Sequence, residues 1–191
     1  MRRPGARSFW FPLGGGAPMG RGPGGSGRGH IVSLWAWASS AWASPGVEHA
    51  CLDLQDRAGQ SVVLLLWGGW CATCGRRVEP ALAHRTVELV RPIETDILRP
   101  MRAIRRALAH TPSGLDDQTQ QDAHAQVRAV ELNLERAMLD VLELQMSEQS
   151  FETEAVADVA QTILMLMEIW SGGPISEDDR TLAVALVEAL A

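Results

Sequence analysis

The run from Gln60 to Gly75, QSVVLLLWGGWCATCG, constrains the fold more than any other part of the chain, because so apolar a stretch has to be buried. Two burials are open to it. In one, Val62 to Trp67 is an interior strand that delivers a Trp70-Cys71-Ala72-Thr73-Cys74 redox motif. In the other, Ser61 to Cys74 is a buried helix, antiparallel to the helix before it around a turn at Gly59. Length favours the helix, since fourteen residues exceed a usual strand. Gly68-Gly69 weakens its middle by roughly 1 kcal/mol per glycine relative to alanine.

The flanking sequence carries the punctuation of helices. Ser33 caps a first helix to about Ala43, with Leu34, Trp37, Ala38 and Ala41 in one stripe. Ser44 is placed to cap a second whose first residue is Pro45, and Val47, Ala50, Cys51 and Leu54 repeat on its inner face. Gly59 offers a left-handed stop. Pro80 opens a helix expected to end before Pro92; the next starts at Pro92 or Ile93, carries Ile97, Met101, Ile104 and Leu108, and bends at Pro100.

Thr111-Pro112-Ser113-Gly114 reads as a loop, after which residues 116–148 contain no Gly or Pro. Val127, Val130, Leu134, Met138, Val141 and Leu144 or Gln145 form the expected seam of a long amphipathic helix. Phe151 to Trp170 and Ser176 to Leu190 follow, the latter with a capping-box-like Ser176 and Asp179. No stretch alternates with period two, so the fold class is all-α: a single-domain bundle of about six to seven helices.

Residues 1–30 differ from the rest. They hold ten of the 18 glycines, four of the ten prolines, five arginines and no acidic residue. Such a head cannot bury enough apolar surface to offset its ordering entropy and is read as a disordered extension, with residues 31–191 as the helical domain. Two other readings stay open: a targeting peptide with an apolar stretch at Ile31 to Trp42, and an upstream extension with the natural start near Val32. The body then carries 12 arginines against 23 acidic residues, a net of −11, which argues against a nucleic-acid partner. No later segment reaches roughly 18 uninterrupted apolar residues, which argues against a membrane partner.

The chemical motifs are sparse. A redox dithiol needs its first cysteine at a helix N-terminus on a βαβ scaffold, and that scaffold is missing around Cys71 and Cys74. Folding back at Gly59 brings Cys51 towards Cys71 and Cys74, a thiol cluster that would need a fourth ligand, His49 or His84, to hold zinc. The plainer expectation is core packing for Cys51. Asp53 with Asp56, Glu131 with Glu135, and Glu152 with Asp158 are paired carboxylates, expected on solvated faces rather than in catalysis.

Arg99, Arg102, Arg105 and Arg106 form the body's cationic cluster. They either pair with the acidic long helix or make an anion or partner-docking patch. Trp35, Trp42, Trp67 and Trp70 are expected in the core rather than around a ligand.

Three ordered blocks resemble a bacterial family of uncharacterised proteins, domain of unknown function 2390. The first comprises Leu34-Trp35 with Trp42, Ser44-Pro45-Gly46-Val47 and Ala50-Cys51-Leu52-x-Leu54-Gln55-Asp56-x-x-Gly59, followed by Val62 to Trp67. The second is Ile97 to Leu108; the third is Val130-Glu131-Leu132-x-x-Glu135. The resemblance covers about residues 33–148 and implies an all-helical cytosolic domain with no established activity. The chain departs from the family's pattern at Gln60 to Val63 and at Gly68 to Cys74, which suggests a less regular third helix and further weakens a redox or metal role.

The expectation is therefore a soluble, cytoplasmic helical protein that binds a protein or small molecule, without catalytic residues, cofactor or metal. The rival is a thiol-redox or zinc-dependent protein using Cys71-x-x-Cys74 with Cys51.

Overall fold

A helix that is apolar on every side must be surrounded, and the third helix, α3 (Val62–Thr73), is buried from Val62 through Ala72. A computed structural model of the protein describes residues 32–110, 114, 116–147 and 158–191, and among these there is no strand. The elements are α1 (Leu34–Trp42), α2 (Val47–Arg57), α3, α4 (Pro80–Ile93), a π-helical turn (Glu94–Leu98), α5 (Arg99–His110), α6 (Asp117–Ser147), α7 (Val159–Ser171) and α8 (Glu177–Leu190). The fold is an all-α bundle built around α3, which packs on α7, α1, α6, α2 and α4. Elsewhere α5 lies on α6 and α2 on α8. None of these helices is long and apolar enough to cross a membrane. The arginine-rich head, the loop at 111–113 and Phe151 to Ala157 lie outside the described residues.

α3 is regular through Gly68-Gly69, contrary to expectation, and packing explains why. A Cβ on Gly68 would lie 2.5 Å from Leu166 Cδ1 and 3.3 Å from Thr162 Cγ2 of α7. One on Gly69 would lie 3.0 Å from the Trp37 ring of α1 and 3.2 Å from Leu190 of α8. The missing side chains let three helices approach the central one closely, and this outweighs the weaker helix propensity.

The caps at Ser33 and Ser176 follow the sequence reading, whereas Asp158 caps α7 inside the run from Phe151 to Trp170 that the sequence reads as one helix. The Ser33 hydroxyl accepts from the Ala36 amide, Asp158 from Ala160 and Gln161, and Ser176 from Asp179. α2, however, starts at Val47 rather than Pro45. Its N-cap is Gly46, at φ 91°, and the Ser44 hydroxyl donates to the Ser40 carbonyl instead. Glycine takes the left-handed conformation required at that position without a Cβ penalty.

Gly59, at φ 64°, ends the second helix as expected. Its turn is pinned to the end of α7: Trp170 Nε1 donates to the Gly59 carbonyl at 2.8 Å, and Gln60 Nε2 to Ser171 Oγ at 3.0 Å.

Neither Pro92 nor the residue before it ends a helix. The rod runs from Pro80 to His110 through the π-turn, where the Arg99 amide donates to Glu94, five residues back. The turn's wider register moves carbonyls away from the ring of Pro100, which an α-helix would set against residue 96. It also faces Glu94 and Leu98 inward.

The seams of α5 and α6 are displaced from the apolar residues that seemed to define them. On α6 the buried positions are Glu131, Glu135, Met138, Leu139, Leu142 and Met146, while Val130, Val141 and Leu144 are exposed, Leu144 at 65%. On α5 the buried residue is Arg102, while Ile104 and, in the π-turn before it, Ile97 face outward. The faces that meet are charged, and the complementary ion pairs described below hold them together.

Replacing Gly68 with alanine is expected to destabilise the protein by about 1–3 kcal/mol, because overpacking against Leu166 and Thr162 outweighs the roughly 1 kcal/mol gain in helix propensity. Urea unfolding checks this: a lower midpoint at unchanged slope is expected, and a higher midpoint would remove the close-approach explanation.

Candidate functional site

A buried arginine needs carboxylates, and Arg102 has two. Its Nη1 is paired with Glu94 Oε1 from the π-turn, and its Nη2 donates to Glu135 Oε1 of α6 at 2.9 Å. Arg105, one turn on, donates through Nε to both oxygens of Glu131, at 2.9 and 3.1 Å. Glu94, Glu131, Glu135 and Arg102 are each at most 3% exposed. Nearer solvent, Arg106 reaches Asp56 of α2 at 3.4 Å.

The cluster sets three buried carboxylates, Glu94, Glu131 and Glu135, against Arg102 and the half-buried Arg105, and the titration of Glu135 reflects this. Burial pushes the Glu135 carboxyl from 4.5 up to about 7; Arg102 opposes that shift, and the neighbouring Glu94 and Glu131 carboxylates add to it. Burial raises Glu131 as well, against Arg105. Burial alone would lower Arg102, but Glu94 and Glu135 outweigh it and hold the guanidinium more firmly protonated.

Three atoms of this cluster have no hydrogen-bond partner among the described residues: Glu94 Oε2, Glu135 Oε2 and Arg102 Nε. Two of them belong to side chains lining a polar cavity of about 470 Å³. Its inner wall is Gln60, Glu94 and Arg102, all buried, and its rim includes Gln55, Asp56, Arg99 and Arg106. The end of α2, the π-turn and α5 thus meet around one space, with α6 behind it.

The predicted site residues divide accordingly. Arg102 and Arg105 turn inward to the acidic long helix, whereas Arg99 and Arg106 stay on the cavity's exposed rim. Glu131 and Glu135, expected on a solvated face, are buried, because Arg105 and Arg102 meet them from α5. Glu94 and Gln60 were missed. The available signal was the pair of prolines, Pro92 and Pro100, bracketing Glu94 within one helical stretch.

The thiols of the Cys-x-x-Cys motif are placed at the end of a helix that does not favour a thiolate. Cys71 lies in the last turn of α3 and Cys74 is its C-cap, the end where the helix dipole opposes a thiolate. The three cysteines are free; Cys51 and Cys71 are buried and Cys74 is exposed. Burial pushes the Cys51 thiol up to about 12 and raises Cys71 and Cys74 too, with Arg76 opposing the shift at the latter pair. Among the described residues no three His, Cys, Asp or Glu side chains are grouped to hold a metal ion. His49 instead faces Asp53 at 3.5 Å on the surface, and His84 is exposed.

Of the tryptophans, Trp42, Trp67 and Trp70 are core residues, with Trp70 Nε1 donating to the Val32 carbonyl at 3.1 Å. Trp35 is half-buried beneath the Arg136 guanidinium, 5.1 Å from its ring centre.

Residues 33–142, more than half of the chain, match the family described as protein of unknown function (DUF2390), and the chain belongs to that family. No curated protein and no solved structure matches it. The matched region contains α1 through most of α6, and therefore every residue of the ionic cluster and its cavity.

The Glu135 carboxyl makes stability depend on pH in a defined direction. Its pKa is higher folded than unfolded, so between about 4.5 and about 7 the native state holds a proton that the unfolded chain releases. Stability from this group is full below that window and is lost as pH rises through it, by on the order of 3 kcal/mol at about 1.4 kcal/mol per pKa unit. Unfolding free energies of the wild type and Glu135→Gln at pH 5 and pH 8 measure the effect. The wild type is expected to lose stability relative to the glutamine variant at the higher pH, and parallel profiles would contradict the assignment.

Proposed function

We propose that residues 31–191 form a cytoplasmic, non-catalytic domain that binds a small polar molecule in the cavity between the end of α2, the π-turn and α5. The observation that carries this reading is a polar cavity of about 470 Å³ whose lining joins the buried Glu94 and Arg102 to the exposed Arg99 and Arg106. The cavity's volume is also in the range of small-molecule sites, roughly 300–1,000 Å³.

Protein docking through the arginine row is less well supported, because Arg102 and Arg105 spend their charge inside the fold. A thiol-redox or zinc function is less well supported, because burial raises the Cys71 and Cys74 thiols and no metal-ligand group is found among the described residues. The acidic body and the absence of a membrane-crossing helix among the described residues support a reading without nucleic-acid or membrane partners.

The test follows the Arg102 Nε–H resonance in arginine-labelled protein while acetate, inorganic phosphate, methylammonium and glycine are added separately. At least one is expected to shift it with saturation, and Arg99→Gln is expected to weaken that response at least tenfold without altering the fold. If none of the four moves the resonance, the cavity is not a binding site.

A further inference from the structure

We infer that two copies of this chain pair through the outer face formed by α6 and the rod of α4, the π-turn and α5. On α6, Val127, Val130, Leu134, Ala137, Val141 and Leu144 are spaced alternately three and four residues apart. That heptad repeat keeps one stripe of a helix facing another helix along its length. The residues that α6 buries within the fold are different ones, Glu131, Glu135, Met138, Leu139, Leu142 and Met146. The helix therefore carries two seams, and the heptad seam stays open: Val130, Val141 and Leu144 are 47%, 45% and 65% exposed.

The rod adds a second open row beside it. Leu89, Ile97 and Ile104 are exposed, with the half-buried Ile93 between them. Leu89 and Ile93 line one apolar groove of about 190 Å³ with Leu134, Ala137 and Val141, so the two rows adjoin there. Further along α5, Arg106 reaches Asp56 of α2, and Ile104, two residues earlier, lies about 160° round the helix at 3.6 residues per turn. On α6, Glu143 accepts from the Leu34 amide of α1, and Val141 lies about 160° from it by the same count. Both rows thus point away from α1 and α2.

Size, chemistry and symmetry select a second copy as the occupant. At 1.5 Å per residue and about 10 Å between helices, two rows of about 18–20 residues present on the order of 600 Å². A symmetric pair then buries on the order of 1,200 Å², the lower end of specific interfaces. A cationic partner, the kind an acidic body attracts, would need carboxylates in the rows, and the rows contain no charged residue. For the same reason, pairing two chains of net charge −6 sets no like charges against each other along them.

The pairs Arg102 with Glu135 and Arg105 with Glu131 run in opposite directions along the two helices, so the rod and α6 are antiparallel. A two-fold axis lying along or across such a face sets each helix antiparallel to the one it meets. Two hairpins then close into a four-helix bundle. This pairing does not rest on ligand binding at the polar cavity, which opens on the α2 side of α5.

Sedimentation equilibrium of the full chain tests it. The wild type is expected to dimerise with a dissociation constant of about 10 μM or tighter. Ile104→Glu and Leu144→Glu each put a charge into the face at an exposed position. Both are expected to weaken dimerisation at least tenfold, while the circular dichroism spectrum of dilute protein keeps its helical shape. Val184→Glu, an equivalent change at an exposed residue of α8, is expected to leave the dimer intact. A wild type that is monomeric at about 100 μM overturns the inference, whether the face is bare or covered by the arginine-rich head. A dimer that survives both face variants, or that Val184→Glu weakens as much as they do, overturns it as well, because the association then lies elsewhere.

Discussion

Everything around the candidate site depends on Arg102 being shared between two buried carboxylates. An isolated charge inside a protein is very costly, and even a paired one repays its desolvation only with good geometry. Arg102 therefore fixes where three elements must be: the π-turn that carries Glu94, the part of α6 that carries Glu135, and α5 itself. Arg105 with Glu131 repeats the constraint one turn further along α5. Such a cluster is weak evidence for stability as such, but it makes the register between α5 and α6 specific, because sliding either helix by a turn strands a buried charge.

The π-turn is the backbone counterpart of that constraint. Pro92 and Pro100 each withhold an amide donor, and a straight α-helix would press the ring of Pro100 against a carbonyl. One wide turn relieves the clash and presents Glu94 to the interior. Turns of this kind recur at functional sites because they re-aim a side chain without ending a helix. The polar cavity opens beside this one, within the region that matches the family.

Much of the fold was legible from the sequence. The caps at Ser33, Gly59 and Ser176, the buried stripe of α2 and the helical nature of the Val62 to Thr73 run follow from local rules that tertiary context did not override. Failures occurred where a long-range partner changed the local answer. Glu131 and Glu135 look like solvent-facing carboxylates until Arg105 and Arg102 meet them, and the true seams of α5 and α6 therefore differ from the rows of apolar residues. Gly68 and Gly69 look like weak points until the approach of Leu166 and Trp37 is seen. The thiol motif was the reverse case, conspicuous as a string yet placed at the wrong end of a helix for its chemistry.

The central claim is that Arg102 and Glu135 act as a coupled buried pair that sets the α5–α6 register. A double-mutant cycle of Arg102→Met and Glu135→Gln, read in unfolding free energy at pH 8, tests it most directly. The account predicts a coupling energy of about 2 kcal/mol or more, with Arg102→Met alone costing about 3–5 kcal/mol because it leaves buried carboxylates unpaired. Additive effects, with a coupling below about 0.5 kcal/mol, would contradict it.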